Sequence, residues 1–411
     1  MPKIKAFKGI HPDQAYAADV VLEVENLDLS TARSIREVQH HSFVNMLVPK
    51  LDNRFLMGSK TELAFKKINE NFEDFLEKGI LVKDENPSVY VYQVQHLGCT
   101  QTGIWTVSSI DDYLNNTIKK HELTRAEREQ GLIEYVQQTG IDANPVLITY
   151  EPDPEIDLLI ADTVAKNPLL SFTKNGSIHT IWKIDDPLQL KTIIEAFSAL
   201  KHTYIADGHH RAAAASTYGI ECRKLNLKHT GNEEYNFFSS VYMSTDQLRI
   251  FEFHRLVKDL GKLSAQAFLD KLSANFDLLE LKQVKEFKPA AIHEFGMYLA
   301  GKWFKLNYKS SLSLNPVRDL DVSILQDRIL TDLLQIKDPR TDSRLSFAGG
   351  LSPLSELMNR VDDGTFDVLF TLYPTSINEL IAVANSGEVM PPKSTWFEPK
   401  FLSGLLIHQL E

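Results

Sequence analysis

The stretch TYIADGHHRAAAAS, residues 203–216, places two imidazoles and a guanidinium directly after an Asp-Gly pair. TYIA reads as the end of a strand. Asp207 is a natural N-cap for a following helix, and Gly208 permits a tight strand-to-helix turn. His209, His210 and Arg211 then occupy the first helical turn. Backbone N–H groups and the helix dipole favour an anion there and oppose cations. Three basic groups set against the dipole therefore point to a negatively charged ligand. Alanines 212–215 let the helix pack closely on a neighbour. A metal is the weaker reading. Adjacent helical residues point about 100° apart, so His209 and His210 do not grip one ion together. Asp207 is the candidate metal ligand, suited to Mg²⁺ beside a phosphate. The competing structural reading is a turn that Asp207 caps while the histidines pack.

Two other segments carry candidate chemistry. KKHELT presents His121 and Glu122, a base and its orienter for a hydroxyl proton. Against this, Thr124 and Glu127 make a capping box that leaves the His–Glu pair merely solvated. MPPKSTWFEPK carries Lys393, Ser394, Thr395 and Lys400 around two aromatic residues. Lysines beside hydroxyls suit phosphate, although no Gly-x-x-x-x-Gly-Lys precedes them. The other reading is a docking tail that buries Trp396 and Phe397. EFHRLV adds His254 and Arg255 on a strand, with a salt bridge the expected role of the arginine. His40 and His41 are adjacent and unsuited to share a metal. Cys99 and Cys222 lack a Cys-x-x-Cys partner, which argues against zinc and a disulfide framework.

The elements that must position these groups follow from periodicity. TELAFKKINENFEDFLEKG reads as a helix stopped by Gly79, and SVYVYQVQHL and IWTVSSI as neighbouring strands joined through GCTQTG. A helix over 124–139, strands at NPVLITYE and HTIWKI, and a helix at DPLQLKTIIEAFSAL precede the motif. Beyond it, NFFSSVYMS and LRIFEFHRLV read as paired strands, FGMYLAGKWFKLNYK as a hairpin, and SILQDRILTDLLQI as one helix. TSINELIAVANSG has a capping box at Ser376 and Glu379. The expected division is 1–230, carrying the motif, and 231–411, ending in PPKSTWFEPK. Strands and helices do not alternate strictly, so the fold class is α+β with a mixed sheet. With 411 residues, 43% hydrophobic content and a net charge of -11, the chain is globular and poorly suited to sequence-independent nucleic-acid binding. No leader-like apolar core and no run of membrane-spanning length is seen, so a cytoplasmic protein with neither nucleic-acid nor membrane partners is expected.

The string Asp-Gly-His-His-Arg-x-x-Ala resembles the signature of the family called domain of unknown function 1015. ENPSVYVYQVQH, HELT, NPVLITY, FHRLV and GEVMPPKSTWFEPKFLSGL extend the resemblance over nearly the whole chain. One departure is VVLEVENLDL, where family members usually carry Pro-Pro-Tyr-Asp. More distantly, the motif is similar to the Asp-Gly-His-Thr-Arg string of ParB/sulfiredoxin-like proteins, which include free-serine kinases. That resemblance implies a ParB/sulfiredoxin-like core with a second C-terminal α+β domain packed against it. It also implies that Gly208, His209, His210 and Arg211 hold nucleotide phosphates; Lys393, Ser394, Thr395 and Lys400 are further phosphate candidates from their own residue types. ATP or ADP with Mg²⁺ on Asp207 is the implied ligand, and a small-metabolite hydroxyl is the acceptor, with Glu122 or His121 as base. The alternative is a nucleotide- or anion-binding regulator without catalysis.

Overall fold

The computed structural model describes residues 1–24, 27–47, 59–124, 126–310, 313–349, 351–398 and 400–410. They fall into two compact units, Met1–Leu248 with Pro399–Glu411, and Arg249–Glu398. The fold is α+β, and no helix among the described residues is long and apolar enough to cross a membrane.

The first unit is built on a mixed sheet of nine strands. In chain order they are β1 (Ile4–Lys5), β2 (Val89–His96), β3 (Cys99–Ser109), β4 (Ile118–Lys119), β5 (Val146–Tyr150), β6 (Leu170–Lys174), β7 (Ser177–Ile184), β8 (Thr203–Asp207) and β9 (Phe237–Ser244). Across the sheet they run β4-β8-β5-β9-β3-β2-β7-β6, with β1 also paired to β3. The β4–β8 and β5–β9 pairs are parallel and the others antiparallel. Val89, Val91, Ile148, Ile184, Phe197 and Tyr242 belong to one large apolar core, into which Ala212 of the motif helix also packs.

The β2–β3 turn is tighter than expected. Leu97 and Gly98 both have positive φ, 49° and 75°, so two residues reverse the chain and β3 begins at Cys99, within the stretch of turn composition. A larger difference concerns β9. Its expected partner is LRIFEFHRLV, yet it lies between β5 and β3. All eight of its residues are buried, which requires a strand on each edge and cover on each face. The first unit consequently runs on to residue 248, past the boundary expected near 230.

The second unit holds six antiparallel strands: β10 (Phe253–Val257), β11 (Phe276–Leu281), β12 (Glu294–Leu299), β13 (Lys302–Tyr308), β14 (Leu345–Gly349) and β15 (Val368–Leu372). Their order is β11-β13-β12-β15-β10-β14. The expected hairpin is β12–β13. The helix Ile377–Ser386 has the full Ser376–Glu379 capping box and stops at Gly387 with φ 73°. SILQDRILTDLLQI is not one regular helix: an α turn, Asp321–Leu325, passes into a π-helix, Gln326–Thr331. The Glu127 side chain, on which the other expected capping box with Thr124 depends, lies outside the described residues.

Candidate functional site

Strand directions bring the motif and the His–Glu pair together. Because β4 and β8 are parallel, the chain leaves both at the same sheet end. Antiparallel β5 enters at that end, with Asp207 opposite Leu147. Residues 120–122, 207–211 and 142–145 therefore converge. The tail joins them: His408–Gln409 pairs with Ile141–Asp142, and Phe401 packs on Tyr92 and Trp105.

The helix His209–Leu225 starts from Gly208, not Asp207. Asp207 is the last residue of β8, and Gly208 takes the N-cap position at φ 96°, ψ 25°. This backbone is left-handed, which glycine adopts at little cost. Glycine is needed for a second reason. A Cβ at residue 208 would lie 2.8 Å from Arg211 Nη2 and 2.9 Å from its Nε. The guanidinium is folded back over the turn that begins its own helix. Arg211 Nη1 donates to Asn144 Oδ1, and Nη2 lies 3.6 Å from Asp207 Oδ2. Lys400 Nζ approaches the same carboxylate oxygen at 3.7 Å, its side chain only 10% exposed. Two cations thus meet one carboxylate at a helix N-terminus that has no capping side chain.

His209 and His121 are buried against each other, ring centroids 4.4 Å apart and nearly perpendicular. Burial drives the His209 pKa well below its usual value, and nearby basic groups push it the same way. Burial takes His121 down to about 4, opposed by the Asp207 charge and a bond to the Ile205 backbone. Both rings are neutral near pH 7. The His121 backbone N–H donates to His209 Nε2 over 3.5 Å. That places the His209 proton on Nδ1, which faces Glu122 Oε2 at 3.6 Å. Glu122 is 43% exposed, so a buried, neutral imidazole backs an accessible carboxylate. His210 is half-buried on the same turn.

Four residues of this neighbourhood are not among the candidate site residues of the sequence, although Asn144 opens the NPVLITY string. Besides Asn144, Asp142 Oδ2 accepts from the Ser239 N–H at 2.7 Å, and burial raises its pKa although His408 and Arg211 oppose this. His408 Nε2 lies 3.0 Å from Glu234 Oε2, and Glu234 also holds Lys5. Asn144 stands in a polar Asp-Ala-Asn-Pro turn entering a buried strand, the one local signal that could have found it. Glu234 and His408 depend on the tail returning to β5, which no local pattern announces.

The PPKSTWFEPK segment is divided between the units. Trp396–Phe397 pairs with Ile250–Phe251 in the second unit, whereas Lys400 belongs to the first. Lys393 is exposed at φ 59°, its Nζ 5.3 Å from the Phe253 ring centroid. The Ser394 hydroxyl donates to the Pro391 carbonyl, and Thr395 is half-buried. Among the described residues Arg255 has no partner for the expected salt bridge. It is buried, donates to the carbonyls of Phe253 and Lys393, and has its pKa lowered to about 9 by burial. For Mg²⁺ the fit is poor: no group of three or more His, Cys, Asp or Glu among the described residues is placed to hold a metal, and Asp207 already faces two cations.

Residues 4–323 match the family described as Protein of unknown function (DUF1015). The chain belongs to this family. No curated protein matches it. Among solved structures, it is similar to a free serine kinase in complex with ADP, at 14% identity and a TM-score of 0.38, over 71% of this chain and 87% of that one. A conserved hypothetical protein from Pyrococcus furiosus gives 14% and 0.35, over 71% and 90%. SbnI from Staphylococcus aureus, with a C-terminal truncation, gives 14% and 0.33, over 73% and 85%. Likenesses this coarse fix no residue correspondence.

Proposed function

We propose that this protein is a nucleotide-dependent phosphotransferase acting on the hydroxyl of a small metabolite. The observation that carries the reading is the meeting of Arg211, Lys400 and an uncapped helix N-terminus with an accessible Glu122 backed by His209. The first group suits a phosphate chain and the second suits removal of a hydroxyl proton. In the proposed step the acceptor O–H proton passes to Glu122 and the acceptor oxygen bonds to the terminal phosphorus. The bridging P–O bond breaks and the shortened nucleotide leaves with that electron pair. Arg211 and Lys400 offset the charge gathering on the phosphoryl oxygens. Glu122 suits the base role better than His121, whose ring is buried away from an acceptor. The ParB/sulfiredoxin-like relationship and a cytoplasmic setting belong to the same proposal.

The test is a thermal-shift and calorimetric screen against ATP, ADP, AMP and pyrophosphate, with and without Mg²⁺, on wild type and Arg211→Ala. A ligand that binds only the native state raises the melting temperature. A shift lost in Arg211→Ala supports the phosphate assignment; equal affinity in both proteins removes it. The pairing of both cations with Asp207 favours a second reading, an anion-responsive binding protein without chemistry. Phosphate transfer to an acceptor, abolished in Glu122→Gln while nucleotide binding persists, separates the two.

A further inference from the structure

The Arg211 side chain is held in place by a residue outside the motif. Its Nη1 donates to Asn144 Oδ1, its Nη2 faces Asp207 at 3.6 Å, and its Nε and Nη2 lie over Gly208. Asn144 sits two residues before β5, in the Asp142–Ala143–Asn144–Pro145 turn. That turn is itself anchored on both sides. The Ser239 N–H binds Asp142, Gly404 N donates to the Ala143 carbonyl at 3.3 Å, and Asp142 pairs in register with His408. Arginine carries considerable rotamer freedom, and fixing it before a ligand arrives reduces the ordering cost of binding. A neutral amide oxygen is well suited to this, because it directs the guanidinium without cancelling its charge, as a carboxylate in the same place would.

We propose that Asn144 is a positioning residue for the anion site, holding Arg211 over the Gly208 turn in the orientation that receives phosphate. This inference rests on the phosphate reading of the turn. Asp207 supplies the charge facing Arg211; Asn144 supplies direction without charge. The same site then favours a phosphate chain over a carboxylate, because the ligand must compete with Asp207 for two cations and needs more than one negative charge to do so.

The experiment uses the full chain with pyrophosphate and ATP as probes, titrated calorimetrically, on Asn144→Ala, Asn144→Asp, Arg211→Ala and Asn144→Ala/Arg211→Ala. The expected result is about tenfold weaker binding for Asn144→Ala, the scale of one hydrogen bond to a charged group. Binding by Asn144→Asp should be weaker still, because the near-isosteric carboxylate keeps the acceptor but competes with the ligand. In the Arg211→Ala background, Asn144→Ala should change nothing further. A role confined to shaping the turn predicts instead that Asn144→Asp binds like wild type, and that result overturns the proposal. So does unchanged affinity in Asn144→Ala while Arg211→Ala loses binding. Failure of Arg211→Ala to alter binding overturns the phosphate reading itself. Positioning has a readout without ligand: the Arg211 Nε–H resonance, assigned by its loss in Arg211→Ala, should shift and exchange faster with water in Asn144→Ala, and an unmoved signal refutes it.

Discussion

Gly208→Ala tests whether the fold of Arg211 over its own helix start matters. Alanine at φ 96°, ψ 25° costs about 1–2 kcal/mol in left-handed strain. For a unit of this size that lowers the melting temperature by roughly 2–8 °C. The new methyl would also stand 2.8–3.1 Å from three guanidinium atoms. Those atoms end a flexible side chain, so the clash is relieved by moving Arg211, at little further cost in stability. The cost falls on anion binding instead. Losing a charge-assisted contact is worth about 1.5–3 kcal/mol, tenfold or more in affinity for pyrophosphate or ATP. Gly79→Ala is the control: φ is 68°, and no described atom lies within 4 Å of its Cβ position. It should lose comparable stability and keep full affinity. Calorimetric titration beside thermal melts reads both quantities. If Gly208→Ala melts lower yet binds as wild type does, Arg211 is not the clamp. If it binds more weakly, Gly208→Ala/Arg211→Ala should bind no worse than Arg211→Ala.

Further outcomes can be checked with the same proteins. Asp207→Asn removes the carboxylate facing Arg211 and Lys400, so pyrophosphate binding without Mg²⁺ should tighten about fivefold, the scale of ~1 kcal/mol for a screened unit charge; weaker binding would return Asp207 to a metal-holding role. Glu122→Gln should reduce turnover at least a hundredfold with nucleotide affinity unchanged, and full activity would dismiss it as the base. Acid should destabilise the protein. His121, His179 and His254 are each lowered by burial to about 4, and His209 lies well below 6.5. Their unfolded forms take up protons first, so stability present above pH 6.5 is lost as pH falls towards 4. At pH 5 that amounts to up to ~2 kcal/mol for each imidazole at about 4. Asp321, raised to about 6 chiefly by burial, works in the opposite direction and offsets part of this loss. Urea midpoints at pH 7.5 and 5 decide, and equal stability at the two would contradict the burial argument.

Local chemistry in the sequence carries much of the site. The strand–glycine–helix turn, the helix that follows and the second-unit capping box are legible because each depends on a few adjacent residues. The proximity of His121 and Glu122 to the motif is not, since it follows from parallel pairing between β4, two residues long, and β8, some eighty residues later. Asp207 has the right side chain for an N-cap, but the strand keeps it and glycine alone satisfies the backbone beyond. The partners of β9 are hidden for a related reason: sequence order favours the next strand, whereas its two buried faces require the centre of a sheet already laid down. The division of PPKSTWFEPK is hidden because nothing in its residue types tells that Trp396 docks on Phe253 while Lys400 reaches Asp207.

The return of residues 399–411 to the first unit also sets an order of events in the cell. Residues 249–398, 150 of them, are synthesised between Leu248 and the segment that completes the first unit. At ordinary translation speeds this is an interval of roughly 8–30 s. During that interval Asp207 and Arg211 exist without Lys400, and the Ile141–Asp142 edge waits for His408 and Gln409. A nascent chain therefore assembles the proposed anion site last, after the second unit has had time to fold. A fragment cut at residue 323, where the family match stops, would never assemble it in full.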